Sequence, residues 1–286
     1  MKKINHFLQF IIIIFCFLLF KIIGLKLSRS VSKKIFSTIG PFFKPKKIIE
    51  KNLEIAFPKI SMEDKENIQK KMWEYYGKVF AEYIFLSEFR KSISNKNIKV
   101  IGSNYIEKIK LEKKPVIFIS GHFDNFELLA MQIEKFGINL AAIYRPLNNI
   151  FLNPIMEYLR KKYICKNQIK KGIAGTKDIV KFFKSGSSIA LMIDQRVSQG
   201  ILTKFFEKNA YTTTIPAQFV KKYNCQIAPV CIERNQDDTF NLEFLSPISF
   251  NQNKNIEEIT RDLNEILEKM ILKNPSQWIW THNRWK

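Results

Sequence analysis

Pro115-Val-Ile-Phe-Ile-Ser-Gly-His-Phe-Asp-Asn-Phe-Glu127 is the stretch whose reading decides the fold. Val116 to Ser120 is strand-like, Gly121 supplies a turn, and a helical pattern follows from about Phe126 to Phe136. The same alternation recurs downstream. Short apolar runs at Leu140 to Tyr144, Ile189 to Ile193 and Ile227 to Ile232 are separated by helical patterns at Ile155 to Lys162, Lys177 to Phe183 and Ala217 to Tyr223. Strands interleaved with helices predict an α/β fold, a largely parallel sheet flanked by helices. Phe240 to Phe244 reads as one more strand. Ile256 to Leu272 reads as an amphipathic helix, with apolar positions at Ile259, Leu263, Ile266, Leu267, Met270 and Ile271.

Upstream the texture is helical. Ser61-Met-Glu-Asp opens a helix with a capping box, and Ile68, Met72, Tyr75, Tyr76, Val79 and Tyr83 follow at helical spacing. Before it, Phe7 to Leu25 is apolar apart from Gln9, Cys16 and Lys21, close to the roughly 20 residues that a spanning helix needs. No small-residue cleavage site follows this run, so it reads as an uncleaved membrane anchor. A helix lying in the interface would satisfy the same residues. Only Lys2 and Lys3 precede the run, whereas Lys21, Lys26, Arg29, Lys33, Lys34, Lys44, Lys46 and Lys47 follow it, which places the body in the cytoplasm. The expected organisation is an anchor over 1–27 and a catalytic domain over 28–286, helical to 110 and α/β from 111 onward.

A chain of 286 residues, 46% apolar, can bury one large core and is neither disordered nor fibrous. Its 47 basic and 26 acidic residues leave a formal charge of +21, which favours nucleic acid, anionic membrane or an acidic protein as partner. Lysine excess in a chain rich in Ile and Asn is also what AT-rich coding produces without selection for binding. Cys16, Cys165, Cys225 and Cys231 show no CxxC spacing, so neither a zinc site nor a disulfide framework is suggested and a reducing compartment fits.

Three histidines occur, and His6 lies in the anchor, so a catalytic imidazole must be His122 or His282. His122 sits where a strand gives way to a helix, the edge at which open α/β sheets bind ligands. Glu127 stands five residues on, which on one continuous helix would diverge by about 140°. The two can meet only if His122 precedes the helix, with Asp124 as its N-cap and Glu127 on the first turn. A competing reading needs no chemistry: Asp124-x-x-Glu127 is itself a capping box.

Beyond this motif, the chain resembles the lipid A late acyltransferases, the acyl-carrier-protein-dependent branch of the lysophospholipid acyltransferase superfamily, whose signature is His-x4-Asp/Glu. The similarity runs through Asn52-Leu-Glu-Ile-Ala-Phe-Pro, Gly121 to Glu127, Ile143-Tyr-Arg-Pro-Leu-Asn-Asn, Ile193-Asp-Gln, Phe205-Phe, Thr212-Thr-Thr, Ala228-Pro-Val and Gln277-Trp-Ile-Trp-Thr-His-Asn-Arg-Trp-Lys. It implies that His122 deprotonates an acceptor hydroxyl while Glu127 orients the imidazolium. Backbone amides near Asn125 would stabilise the oxyanion, and Arg145 would hold phosphate or developing negative charge. Asp194 and Gln195 would lie in the acceptor site or fix a loop, and Arg284 would help bind the acceptor, although the Trp-rich tail also reads as docked core with His282 a structural residue. The resemblance implies acyl carrier protein as donor, a lipid A precursor as acceptor, anionic membrane lipid as a further partner, no nucleic acid, no metal and no cofactor, with the body at the cytoplasmic face of a bacterial inner membrane. Phe205-Phe206-Glu207 departs from the family's usual Phe-Phe-Gly. Two rivals stay open: a same-fold acyltransferase for another phospholipid or glycolipid, and a membrane-tethered basic binding protein without turnover.

Overall fold

The computed structural model describes residues 2–91 and 97–286. It opens with α1 (Lys2–Phe43), which contains a segment long and apolar enough to cross a membrane. Gly24 breaks it with φ of 76°, a left-handed conformation that glycine adopts without steric cost. Ser28 Oγ donates to the carbonyls of Gly24 and Phe20, at 2.7 and 3.0 Å, satisfying groups that the bend releases. The helix thus runs through position 27 rather than ending there, and its second half packs against α3 (Met62–Glu82). Ser61 caps α3 as expected, accepting from the backbone N–H of Asp64 at 3.0 Å. Between them, α2 (Lys46–Ala56) presents Asn52, whose amide donates to the carbonyls of Trp280 and His282 and ties the C-terminal tail to the helical layer.

After α3 come a 3₁₀ turn (Tyr83–Phe85) and α4 (Leu86–Lys91), then β1 (Ile98–Ile101), α5 (Ser103–Glu112), β2 (Ile117–Ser120), α6 (Glu127–Lys135) and β3 (Leu140–Tyr144). There follow α7 (Leu152–Leu159) with a π-turn extension (Arg160–Ile164), β4 (Asn167–Lys170), α8 (Ile173–Lys184) and β5 (Ser188–Met192). The hairpin β6 (Ile201–Phe205) and β7 (Lys208–Thr212), then α9 (Ile215–Tyr223), β8 (Ile227–Arg234), β9 (Phe240–Phe244) and α10 (Ile256–Lys273) complete the chain before a 3₁₀ turn (Pro275–Gln277) and the tail.

Seven strands form one sheet in the order β1-β9-β8-β2-β5-β3-β4, parallel except where β9 runs antiparallel to β8. The largely parallel α/β reading therefore holds. The centre is β2, with Ile117 in register with both Ile189 and Ile227, and all four of its residues are buried because helices cover both faces. Gly121 ends it under crowding: a Cβ there would lie 2.9 Å from the Phe123 ring and 3.0 Å from Leu267. Four strands differ from expectation. β1 comes from the segment read as helical, β4 is a polar edge strand in which only Ile169 is buried, and the β6–β7 hairpin turns at Phe206 and Glu207, both at positive φ. The tail docks as core, with Trp278, Trp280 and Trp285 all buried.

Candidate active site

His122 emerges from the carboxyl end of β2, flanked by the ends of β5 and β8. Asp194, just past β5, meets it twice: the His122 backbone N–H donates to Asp194 Oδ2 and ring Nδ1 donates to Oδ1, each at 2.7 Å. Trp278 Nε1 from the docked tail donates to the same Oδ2 at 2.9 Å. Burial alone would raise the Asp194 carboxyl, but the neighbouring imidazole and these donors outweigh it and hold the group below its usual range. An ionised carboxylate only accepts, so Nδ1 carries a proton, and in the neutral ring Nε2 is the nitrogen that has the lone pair. The Gln195 amide nitrogen stands 3.5 Å from Nε2, and Phe126 packs edge-on against the ring.

His122 borders a cavity of about 320 Å³ whose floor is apolar, with Phe118, Leu129, Ile133, Ile179, Met192 and Val230 among its walls. Glu127, Arg145, Arg160 and Gln195 line it too. Glu127 does not meet His122: its Oε1 accepts from Arg160 Nε at 2.8 Å, from Arg160 Nη2 at 2.5 Å and from Tyr83 Oη at 2.5 Å. The expected cap is absent for a physical reason. Asp124 sits at φ of 35° with its carboxylate gripped by Arg234 and its N–H donated to the Gln277 carbonyl, so α6 starts at Glu127 without a side-chain cap. Glu127 is therefore neither the partner of the imidazole nor half of a capping box; it shares the cavity with His122 and holds Arg160.

Arg145 lies at the end of β3 on the cavity rim, exposed, and no carboxylate pairs with it among the described residues. Lys171 lines the same rim, and burial together with the Arg145 charge depresses its pKa. Gly172, Gly175 and Thr176 place the first turn of α8 beside these cations. Two uncompensated cations and a helix N-terminus make a mouth suited to an anion.

Asn125 does not line the cavity; its side chain donates to Glu82 Oε2 at 2.7 Å, beneath the loop. Arg284 is fully buried, donating to the Tyr211 carbonyl and, at 2.7 Å, to Thr212 Oγ1 while stacking on Phe205, and burial lowers its pKa to about 10. Its hydrogen bonds make it a strut of the tail, and it is not among the residues that line the cavity. His282 is structural as well: Nε2 accepts from the Arg196 backbone at 2.9 Å. Sequence reading passed over Arg160, Tyr83 and Trp278, whose contacts with the site span 33, 44 and 84 residues and leave no local pattern.

A family model described as bacterial lipid A biosynthesis acyltransferase matches residues 1–286. The lipid A biosynthesis palmitoleoyltransferase of Escherichia coli is 24% identical over 258 residues, covering 88% of this chain and 83% of that one. The lipid A biosynthesis lauroyltransferase of the same organism is 24% identical over 246 residues, covering 84% and 78%. Among solved structures, the 1-acyl-sn-glycerophosphate (LPA) acyltransferase PlsC of Thermotoga maritima aligns with a TM-score of 0.43 and 15% identity over 90% of this chain and all of that one. With a histidine at a strand end above an apolar cavity and a family match along its whole length, the chain belongs to the bacterial lipid A biosynthesis acyltransferases.

Proposed function

We propose that the protein transfers a fatty acyl chain from acyl carrier protein to a hydroxyl of a lipid A precursor, with His122 as general base and Asp194 as the residue that orients it. The observation that carries this reading is the Asp194–His122 hydrogen bond, which leaves Nε2 as a base on the wall of an apolar cavity. The acceptor O–H gives its proton to Nε2 as its oxygen attacks the thioester carbonyl carbon. The tetrahedral intermediate collapses with cleavage of the C–S bond, and the imidazolium returns the proton to the departing thiolate, yielding ester and free thiol. The apolar walls suit the acyl chain, and the Arg145–Lys171 rim suits a phosphorylated glycolipid or the phosphate arm of the carrier. The net charge of +21 and the free cysteines favour the reducing, cytoplasmic face of an inner membrane with an anionic leaflet. Glu127 acts here through Arg160 rather than by touching the imidazole.

The test combines full-length protein, acyl carrier protein thioesters and a lipid A precursor, read by the mass shift of the lipid. His122→Ala is expected to lower kcat by roughly 10²- to 10⁴-fold while leaving stability intact. Undiminished turnover by that variant would remove the mechanism, and transfer only to other acceptors would remove the substrate.

A further inference from the structure

The first half of α1 is fastened to the body at both of its ends. At one end Lys21 Nζ pairs with Glu88 at 2.6 Å. At the other the Asn149 amide donates to the His6 carbonyl at 2.8 Å, and Phe7 and Phe10 pack on Phe151 with ring centroids 5.5 and 6.0 Å apart. Between these tethers Phe17 and Phe20 pack on Phe80 of α3. The inward residues His6, Phe10, Ile13, Phe17, Phe20 and Gly24 recur at helical spacing, so one continuous stripe faces the protein. His6 to Lys21 covers about 22 Å of helix held alongside the body.

A helix crossing the roughly 30 Å hydrocarbon core would carry His6 to the far side and strip these contacts away. It would also leave the buried Asn149 amide without its carbonyl, a cost of about 1–3 kcal/mol. Meanwhile the outer face of the same helix, including Ile12, Leu18 and Ile22 at 62, 61 and 81% exposure, is uncovered among the described residues. It continues into the β3–α7 loop, where Leu147, Ile150 and Phe151 are also exposed immediately after Arg145.

We propose that residues 2–23 do not cross the bilayer but lie along the body, their outer face and the Leu147–Phe151 lip resting together in one leaflet. Apolar area of this extent beside a cationic rim fits a phospholipid surface, acyl chains against the lip and phosphates against Arg145. Taken with the lipid-acceptor reading above, on which this last step rests, it means that the acceptor reaches His122 sideways from the leaflet.

Two single-cysteine additions to the full-length chain, Lys3→Cys and Lys208→Cys, test the topology with a membrane-impermeant maleimide on sealed spheroplasts and on inverted inner-membrane vesicles. Lys208 is exposed on the β6–β7 hairpin and reports the body. Both positions are expected to react in the same preparation, above the background of the parent chain. Reaction from opposite sides, or protection of Lys3→Cys in both preparations until detergent is added, overturns the proposal. For the lip, full-length Ile150→Cys carrying a nitrobenzoxadiazole dye is placed in phosphatidylethanolamine–phosphatidylglycerol vesicles whose acyl chains are brominated. Quenching supports insertion; an unquenched, water-like emission sinks it. Neither measurement uses donor or acceptor, so failure of lipid A acylation would defeat the proposed function without touching this result. Sideways entry itself predicts that Ile150→Glu loses about tenfold in rate on acceptor embedded in vesicles, the worth of one apolar side chain. With acceptor in detergent micelles it keeps its rate, and an equal loss in both would assign the lip to the site instead.

Discussion

Two ionic clusters flank the loop from Gly121 to Glu127, and they are built on opposite plans. On the cavity side a single buried carboxylate, Asp194, faces an imidazole that is 21% exposed. On the other side the Glu82 and Asp124 carboxylates interlock with Arg234, and Arg29 from α1 closes on Glu82 at 2.6 Å, with Glu82, Asp124 and Arg234 side chains wholly buried. Burial would raise Glu82, yet Arg234, Arg29 and the Asn125 amide hold its pKa below the ordinary value. The second cluster is closed by mutual pairing: the Arg234 and Arg29 guanidiniums face the Glu82 and Asp124 carboxylates, Arg234 also reaches Asp238 at 3.5 Å, and burial holds Asp124 above its ordinary pKa. The first is open to the cavity on one side, and its carboxylate gains most when the ring becomes an imidazolium. Charge compensation suits a platform; a buried carboxylate behind a partly exposed imidazole suits the general base proposed above.

The largest expected effect lies on the open side. Asp194→Asn keeps the side-chain shape but removes the charge that fixes the tautomer, and kcat should fall on the order of 10³-fold with little change in Tm. Adding it to His122→Ala should cost almost nothing further, since groups acting as a unit are not additive. If the double variant loses the product of the two factors, the residues work independently and the comparison breaks.

The closed side should fail differently. Glu82→Gln leaves two buried guanidiniums short of one negative charge, at about 3–5 kcal/mol, or roughly 10 °C in Tm. Turnover per folded molecule should stay within a few-fold. A normal Tm with collapsed kcat would show that the platform belongs to the chemistry.

Glu127 lies between these plans, in the cavity but already salt-bridged. Glu127→Gln weakens the charge-assisted hold on Arg160 and should cost about tenfold in kcat/KM. In combination with Asp194→Asn the losses should multiply, because Glu127 and the imidazole share no hydrogen bond. A sub-multiplicative result would restore a direct Glu127–His122 partnership.

The Glu127 reading also marks what could be seen without coordinates. Periodicity is a local signal, so the buried strand β2, its turn into α6 and the amphipathic α10, whose Asn255 and Glu258 form a full capping box, were all legible. β4 was not, because an edge strand with one buried residue lacks apolar alternation, and the β6–β7 hairpin turns without the usual Asn-Gly or Asp-Gly. At the cavity, the strand-end placement of His122 and Arg145 was readable. The partner of His122 was not: Asp194 lies 72 residues away, while Glu127, five residues on, was claimed by Arg160 at the end of α7. Strand-end placement follows from local pattern, but the pairing of charges is settled by which elements the sheet brings together.

The smallest effect concerns the second imidazole beneath the open cluster. Burial lowers His282 from its ordinary 6.5 to about 4, with the positive charge of Arg284 adding to the shift and Asp194 opposing it. Its ring therefore stays neutral and accepts from the Arg196 N–H while the unfolded chain already binds a proton. A group depressed on folding contributes stability that is complete above pH 6.5 and is lost as pH falls from there toward 4. His282→Gln can still accept through its side-chain oxygen but cannot titrate. Its Tm should lie below the parent's at pH 7.5, and the gap should narrow or reverse by pH 4.5, as followed by thermal unfolding across that range. A gap of constant size would mean that His282 is not held neutral in the fold, and the tail would then carry a second protonatable ring within reach of Asp194, eroding the contrast between the open cluster and its surroundings.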